Sequence, residues 1–101
     1  MSKVAAIAKI PAHPGKRDEL VAGLQAALDN AAGEADTLMY ILHEDASDPD
    51  VVWFYELYTD QDAFVAHGTS DAFKAIGASL RNLAGGRPEI TVLKPIGGKG
   101  L

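Results

Sequence analysis

Apolar and polar positions alternate along residues 3–11, Lys-Val-Ala-Ala-Ile-Ala-Lys-Ile-Pro, and predict a first strand with Val4 and Ile10 on one face and Ile7 on the other. Pro11 closes it, and its alanines allow another layer to approach closely. The stretch 12–16, with Pro14 and Gly15, reads as a turn. From Arg17 to Ala32 the period changes. Leu20, Leu24, Ala27, Leu28 and Ala31 recur at spacings of three and four, so one stripe of a helix faces a core while Arg17, Gln25 and Asp29 face water, and Gly33 stops it.

Period two returns at Thr37. Leu38, Tyr40 and Leu42 share one strand face and Met39, Ile41 and His43 the other. A polar turn around Pro49 leads to a second strand of a hairpin, with Trp53, Tyr55 and Leu57 opposite Phe54, Glu56 and Tyr58. Thr59 or Asp60 can cap a short helix carrying Ala63, Phe64 and His67, and Ser70 or Asp71 a second one, with Gly68 separating them. Phe73, Ile76, Leu80 and Leu83 form the apolar stripe of that second helix, which Gly85 and Gly86 end. A last strand over 88–96 sets Ile90 and Val92 against Leu93, and the glycine-rich end, 96–101, is expected to fray.

The order strand, helix, strand, strand, helix pair, strand is that of an α+β domain of the ferredoxin-like, split β-α-β kind. No linker divides the chain, so residues 1–101 read as one domain. Helices in this topology cover one face of the sheet. Both hairpin strands are apolar on both faces, and an uncovered face would leave large rings in water at about 25 cal/mol per Å². A homodimer packing sheet on sheet is the economical cover.

Composition narrows the function. Hydrophobic residues make up 48% and charged ones 23%, as in ordinary globular domains. The net charge of −5 and the scattered lysines and arginines argue against nucleic acid, which is bound by clustered cations. Lys9 and Pro11 cut the first apolar run short of a signal-peptide core or a membrane span, so no membrane partner is expected. Without cysteine there is no disulfide, thiol nucleophile or thiolate metal site, and a cytoplasmic location fits. The three histidines lie in different elements without metal-site spacing, and no nucleotide-binding glycine loop or G-x-S-x-G elbow is present.

Taken with that order of elements, Trp53-Phe-Tyr-Glu56-Leu-Tyr58 followed by Ala63-Phe64, His67, Ser70 and Phe73 resembles the antibiotic biosynthesis monooxygenase family, which includes bacterial quinol monooxygenases. The similarity spans nearly the whole chain. It implies a dimeric α+β barrel with a small aromatic ligand between sheet and helices. It also implies oxidation of a quinol, polycyclic phenol or anthrone by molecular oxygen with no cofactor and no metal, since a deprotonated hydroquinone can itself reduce oxygen. Haem-degrading relatives are a poorer match, because the first strand lacks their Asn, Tyr58 stands where they carry Trp, and no His follows His67. The alternative is a non-catalytic dimeric ligand-binding or stress-related barrel protein, since one fold hosts many functions.

His67 is the candidate base, because imidazole changes charge near neutral pH. Its structural alternative is a helix cap or a tie to Glu56. Glu56, mid-strand among aromatics, is either hydrogen-bonded to a neighbour or held with a raised pKa for base chemistry. Tyr58 can bond a substrate oxygen or simply pack in the core. Those three form the catalytic set, with Phe54, Phe64, Phe73 and Arg81 as substrate-binding candidates. Trp53 and Tyr55 belong to the dimer core, and His13 and His43 are read as exposed or locally satisfied.

Overall fold

The computed structural model describes residues 2–101. Its elements are β1 (Val4–Pro11), α1 (Arg17–Ala32), β2 (Thr37–Glu44), β3 (Val51–Tyr58), α2 (Gln61–Thr69), α3 (Asp71–Ser79) and β4 (Glu89–Leu93). The four strands form one sheet in the order β2-β3-β1-β4, and every pairing is antiparallel. This is the expected α+β, ferredoxin-like arrangement.

Register fixes which side chains share a face. Ala6 pairs with Glu56 and Ala8 with Phe54, while across the hairpin Tyr40 pairs with Glu56 and Leu42 with Phe54. These residues therefore point to the side on which the helices lie. Ala8, Val52 and Phe54 meet Leu20, Leu24 and Ala27 of α1 in the main core, with Ile76, Leu80 and Leu83 packed at its margin. Alanines on β1 leave room for this close approach. Ile90 and Val92 pair with Ala8 and Ala6 and so share this face, with Leu93 on the other, as the alternation predicts.

The helix ends depart from the sequence reading in instructive ways. α2 and α3 are capped by Asp60, whose Oδ1 accepts from the Ala63 N–H at 2.8 Å, and by Ser70, whose Oγ accepts from the Phe73 N–H at 3.1 Å. Ser70, with extended backbone, is the break between the two helices, and Gly68 lies inside α2. The cap thus outweighs the glycine. α3 stops at Ser79, well before Gly85, and residues 80–84 run as turns that tie to the first strand's end. Gly85 N–H donates to the Pro11 carbonyl at 2.8 Å, and a Cβ there would meet the Ala12 oxygen at 2.8 Å, so only glycine allows that approach. Gly33 does follow α1, but with φ −87°, so it ends the helix without the left-handed turn glycine often supplies.

Arg17 does not face water as its place on the helical pattern suggested. Its guanidinium donates to the carbonyls of Asp45 and Asp48 at 3.2 and 2.9 Å and pairs with Glu44 at 3.4 Å, pinning the β2–β3 turn to the start of α1. The opposite face of the sheet carries Ile7, Met39, Ile41, Trp53, Tyr55 and Leu57. Ile41 is 46% exposed there. The last strand is shorter than expected. Beyond it Lys94, Pro95 and residues 97–101, all exposed except the half-buried Pro95, line with Ala5, Met39, Tyr55, Leu57 and Leu93 an open groove of about 590 Å³, while Ile96 is 96% exposed. Ala5 and Leu57 are buried there.

Candidate active site

The sequence brings aromatic and titratable groups together between the sheet and the α2–α3 pair. β3 presents Phe54, Glu56 and Tyr58 by alternation, and α2 presents His67, its only fully buried residue. His67 meets three rings, with centroid distances of 4.9 Å to Tyr40, 5.5 Å to Tyr58 and 4.8 Å to Phe73. Tyr40 stacks on Phe54 at 4.5 Å, and Phe64 meets Tyr58 edge-on at 5.4 Å. At these separations the rings touch one another and fill the space between them.

Two carboxylates organise the cluster. The Tyr58 hydroxyl donates to Glu56 Oε1 at 2.5 Å, so the mid-strand carboxylate is satisfied within its own strand two residues on. Burial pushes the Glu56 carboxyl above the ordinary carboxylate range, although the Tyr58 bond and the nearby His67 oppose this. Burial, and then the bond to Glu56, raises the Tyr58 phenol well above its ordinary value. Tyr40 is raised too, by burial first and then by the charges of Glu56 and Glu34. Both phenols are thus held as neutral hydroxyls.

Glu34 is the second carboxylate, just past the end of α1. Its Oε1 lies 2.7 Å from His67 Nδ1 and also accepts from the Thr37 hydroxyl at 3.0 Å. The expected tie from His67 to Glu56 is therefore made to Glu34 instead. An ionised carboxylate can only accept, so Nδ1 carries a proton, and in the neutral imidazole Nε2 is then the atom with the lone pair. That atom is buried with no hydrogen-bond partner among the described residues. A carboxylate–imidazole pair with the distal nitrogen free is the arrangement that orients a general base.

Of the seven residues singled out in the sequence, six therefore converge: His67, Tyr58, Glu56, Phe54, Phe64 and Phe73. Arg81 does not join them. It lies in the turns beyond α3 and is exposed, because the helix that would have carried it ends at Ser79. Sequence reasoning grouped Tyr40 with Leu42 on one strand face but did not assign that face to the site and gave Tyr40 no role. It missed Glu34 altogether, and the only signal was an acidic residue next to a helix-terminal glycine, which is commonplace. Among the described residues no three His, Asp or Glu side chains come together as a metal-ligating group.

The profile of the antibiotic biosynthesis monooxygenase family matches residues 3–79. A solved structure of a candidate antibiotic biosynthesis monooxygenase from Caulobacter crescentus CB15 is 30% identical, with a TM-score of 0.86, over 95% of this chain and 92% of that one. A structure from Mycobacterium tuberculosis is 28% identical, with a TM-score of 0.86, over 98% of this chain and all (100%) of that one. Another candidate member, from Chloroflexus aurantiacus, is 28% identical with a TM-score of 0.80, over 98% of each chain. No curated protein matches the chain. The strand order, the aromatic hairpin and the matching profile agree, and the chain belongs to the antibiotic biosynthesis monooxygenase family.

Proposed function

We propose that the protein is a cofactor-independent monooxygenase that oxidises an anthrone, a polycyclic phenol or a quinol with molecular oxygen. The observation that carries this reading is His67, buried, held at Nδ1 by Glu34, with Nε2 free among aromatic rings. In this reading Nε2 takes the acidic proton of the bound ring compound. The anion then passes one electron to oxygen, the radical pair joins as a carbon hydroperoxide, and loss of water leaves a carbonyl. For an anthrone the balance is CH2 plus O2 to C=O plus H2O, with the proton held by His67 returning to the departing hydroxide. For a quinol with a free ring C–H the same sequence at that carbon inserts one oxygen atom, the balance being quinol plus O2 to hydroxyquinone plus H2O.

The remaining groups have definable parts. Tyr58, kept protonated and aligned by Glu56, is a hydrogen-bond donor for a ring oxygen, and Phe54, Phe64 and Phe73 supply flat apolar walls that exclude water from the anion. Because the rings already touch, a ligand enters only by displacing some of them. α3 is the element to yield, since none of its residues is fully buried and it is separated from α2 by the extended Ser70. Arg81 has no part in this scheme.

The sheet's other face supports a homodimer, with Ile41, Met39, Tyr55 and Leu93 meeting their counterparts on a second copy. The rival is a non-catalytic dimeric ligand-binding or stress-related barrel protein. Oxygen uptake with reduced menadione and with anthrone, metal chelated and no flavin added, separates the two. Catalysis above the spontaneous rate is expected, and His67→Ala should lower it by roughly 10²–10⁴-fold, the range for a positioned base. Rates equal to the spontaneous oxidation for every substrate would remove the enzyme reading.

A further inference from the structure

Alternation along β2 sends Met39 and Ile41 to the face opposite the helices, and by that rule Thr37 would follow them. It does not. Thr37 pairs with Tyr58 and Met39 with Leu57, so β2 advances two residues where β3 advances one. The extra residue is Leu38, which forms a β-bulge and is 43% exposed. Residues directly opposite one another across a ladder point to the same side. Thr37 therefore shares the side of Tyr58, whose ring lies 5.5 Å from that of His67. One unpaired leucine turns the threonine toward the site.

What Thr37 reaches there is the carboxylate that holds His67. Its hydroxyl donates to Glu34 Oε1 at 3.0 Å, the same oxygen that lies 2.7 Å from His67 Nδ1. A carboxylate oxygen has two lone pairs, so one atom takes both donors. Glu34 Oε2 has no donor among the described residues, and the Glu34 side chain is 26% exposed. With Oε1 as its only hold, the carboxylate has water to turn to. The turn that carries it does not need the hydroxyl, because main-chain bonds close it: Glu34 N–H to the Ala31 carbonyl at 3.0 Å and Thr37 N–H to the Glu34 carbonyl at 3.1 Å. A third, from Thr59 N–H to the Asp36 carbonyl at 3.0 Å, moors the turn to the segment leading into α2. The side-chain bond is left with the carboxylate's direction as its effect.

We infer that Thr37 is a positioning residue, whose hydroxyl keeps Glu34 Oε1 turned toward His67 and so keeps the imidazole set with Nε2 among the rings. Its part in turnover rests on the reading of His67 as the base. Without the hydroxyl the carboxylate exchanges more often between imidazole and water, and the base is correctly aimed for a smaller share of the time.

Thr37→Val and Thr37→Ser test this in the full chain. Valine keeps the β-branched shape that suits a strand and removes the donor, while serine keeps the donor. With isotope-labelled histidine, the buried His67 Nδ1 proton should give a slowly exchanging ring signal, distinct from those of the exposed His13 and His43. Its exchange with water should be about tenfold faster in Thr37→Val, as for one lost hydrogen bond to a charged group, and within about twofold of the parent in Thr37→Ser. Amide exchange along β3 should stay as in the parent in both. With anthrone and oxygen, kcat should fall by roughly two- to tenfold in Thr37→Val with KM little changed, and recover in Thr37→Ser. Unchanged Nδ1 exchange in Thr37→Val, or an equal rise in Thr37→Ser, would overturn the inference. So would an unaltered kcat in a Thr37→Val chain whose Nδ1 exchange has risen. The two readings fail separately: Thr37-dependent exchange in a parent chain that takes up no oxygen would sink the oxygenase and keep Thr37's hold on His67.

Discussion

The two faces of the sheet are written by the same strand yet built on opposite rules. On the helix side of β3, Phe54, Glu56 and Tyr58 are all buried, and each polar group there has a partner or is aimed at a cluster of rings. On the other side Trp53 and Tyr55 are only half-buried, and the polar contacts are peripheral: Trp53 donates to Asp45 at 2.7 Å and Lys9 lies 5.8 Å over its ring. The first face holds its structure within one chain. The second is apolar area without internal cover, except where the last residues line a groove in it. In the proposed reading chemistry uses the first arrangement and association the second, both written by one alternating strand.

The contrast breaks most visibly under truncation. Phe54→Ala removes a buried ring stacked on Tyr40 and should cost about 3–5 kcal/mol in denaturant unfolding. Ile41→Asp, at a site 46% exposed, should cost the single chain less than about 1 kcal/mol. Its effect belongs to association instead: sedimentation at micromolar concentration should show a dimer for the parent chain and a species near 10.6 kDa for the variant. A parent chain that sediments as a monomer, or an Ile41→Asp that unfolds as readily as Phe54→Ala, would erase the distinction between the faces.

A charge-neutral change sharpens it. Glu56→Gln keeps an oxygen for the Tyr58 hydroxyl but abolishes the buried charge. Because the folded carboxyl is raised above its unfolded value, the native chain binds the proton more tightly than the unfolded one, and the parent loses stability as pH rises through that range. The Gln variant has no such loss. It should therefore be the more stable protein at pH 7, by on the order of 1 kcal/mol, with the advantage vanishing by about pH 4. An advantage that persists unchanged into acid would mean that Glu56 is not held against its charge.

Much of this was legible in the sequence because it depends on period. Alternation separated Phe54, Glu56 and Tyr58 from Trp53, Tyr55 and Leu57, and the spacing of three and four placed Leu20, Leu24 and Ala27 in the core. What failed were features decided by single long-range contacts. Arg17 binds carbonyls 28 and 31 residues away, and Glu34 meets His67 across 33 residues, so no local pattern reports either. The early end of α3 has a similar origin. Leu80 and Leu83 keep the helical stripe in sequence, yet Leu83 and Gly85 bond back to His13 and Pro11, and those ties hold the segment in turns. That loss of helix is what removed Arg81 from the site.

The smallest effect concerns the rim of the outer face. Asp45 accepts from Trp53 Nε1 at 2.7 Å through one oxygen and from the Ser47 and Asp48 N–H groups, each at 2.9 Å, through the other. These bonds, that of Trp53 foremost, hold its carboxyl down at about 2. A depressed folded value stabilises above the unfolded one near 4 and is lost as pH falls toward 2. Asp45→Asn should thus weaken the chain slightly at pH 7, since the turn N–H groups keep an acceptor while an amide donor can face the indole N–H. The difference from the parent should close between pH 4 and pH 2, followed by Trp53 fluorescence during unfolding. A gap that stays open at pH 2 would mean that Asp45 acts through shape rather than charge, and the outer face would then depend on its polar rim more than on its apolar area.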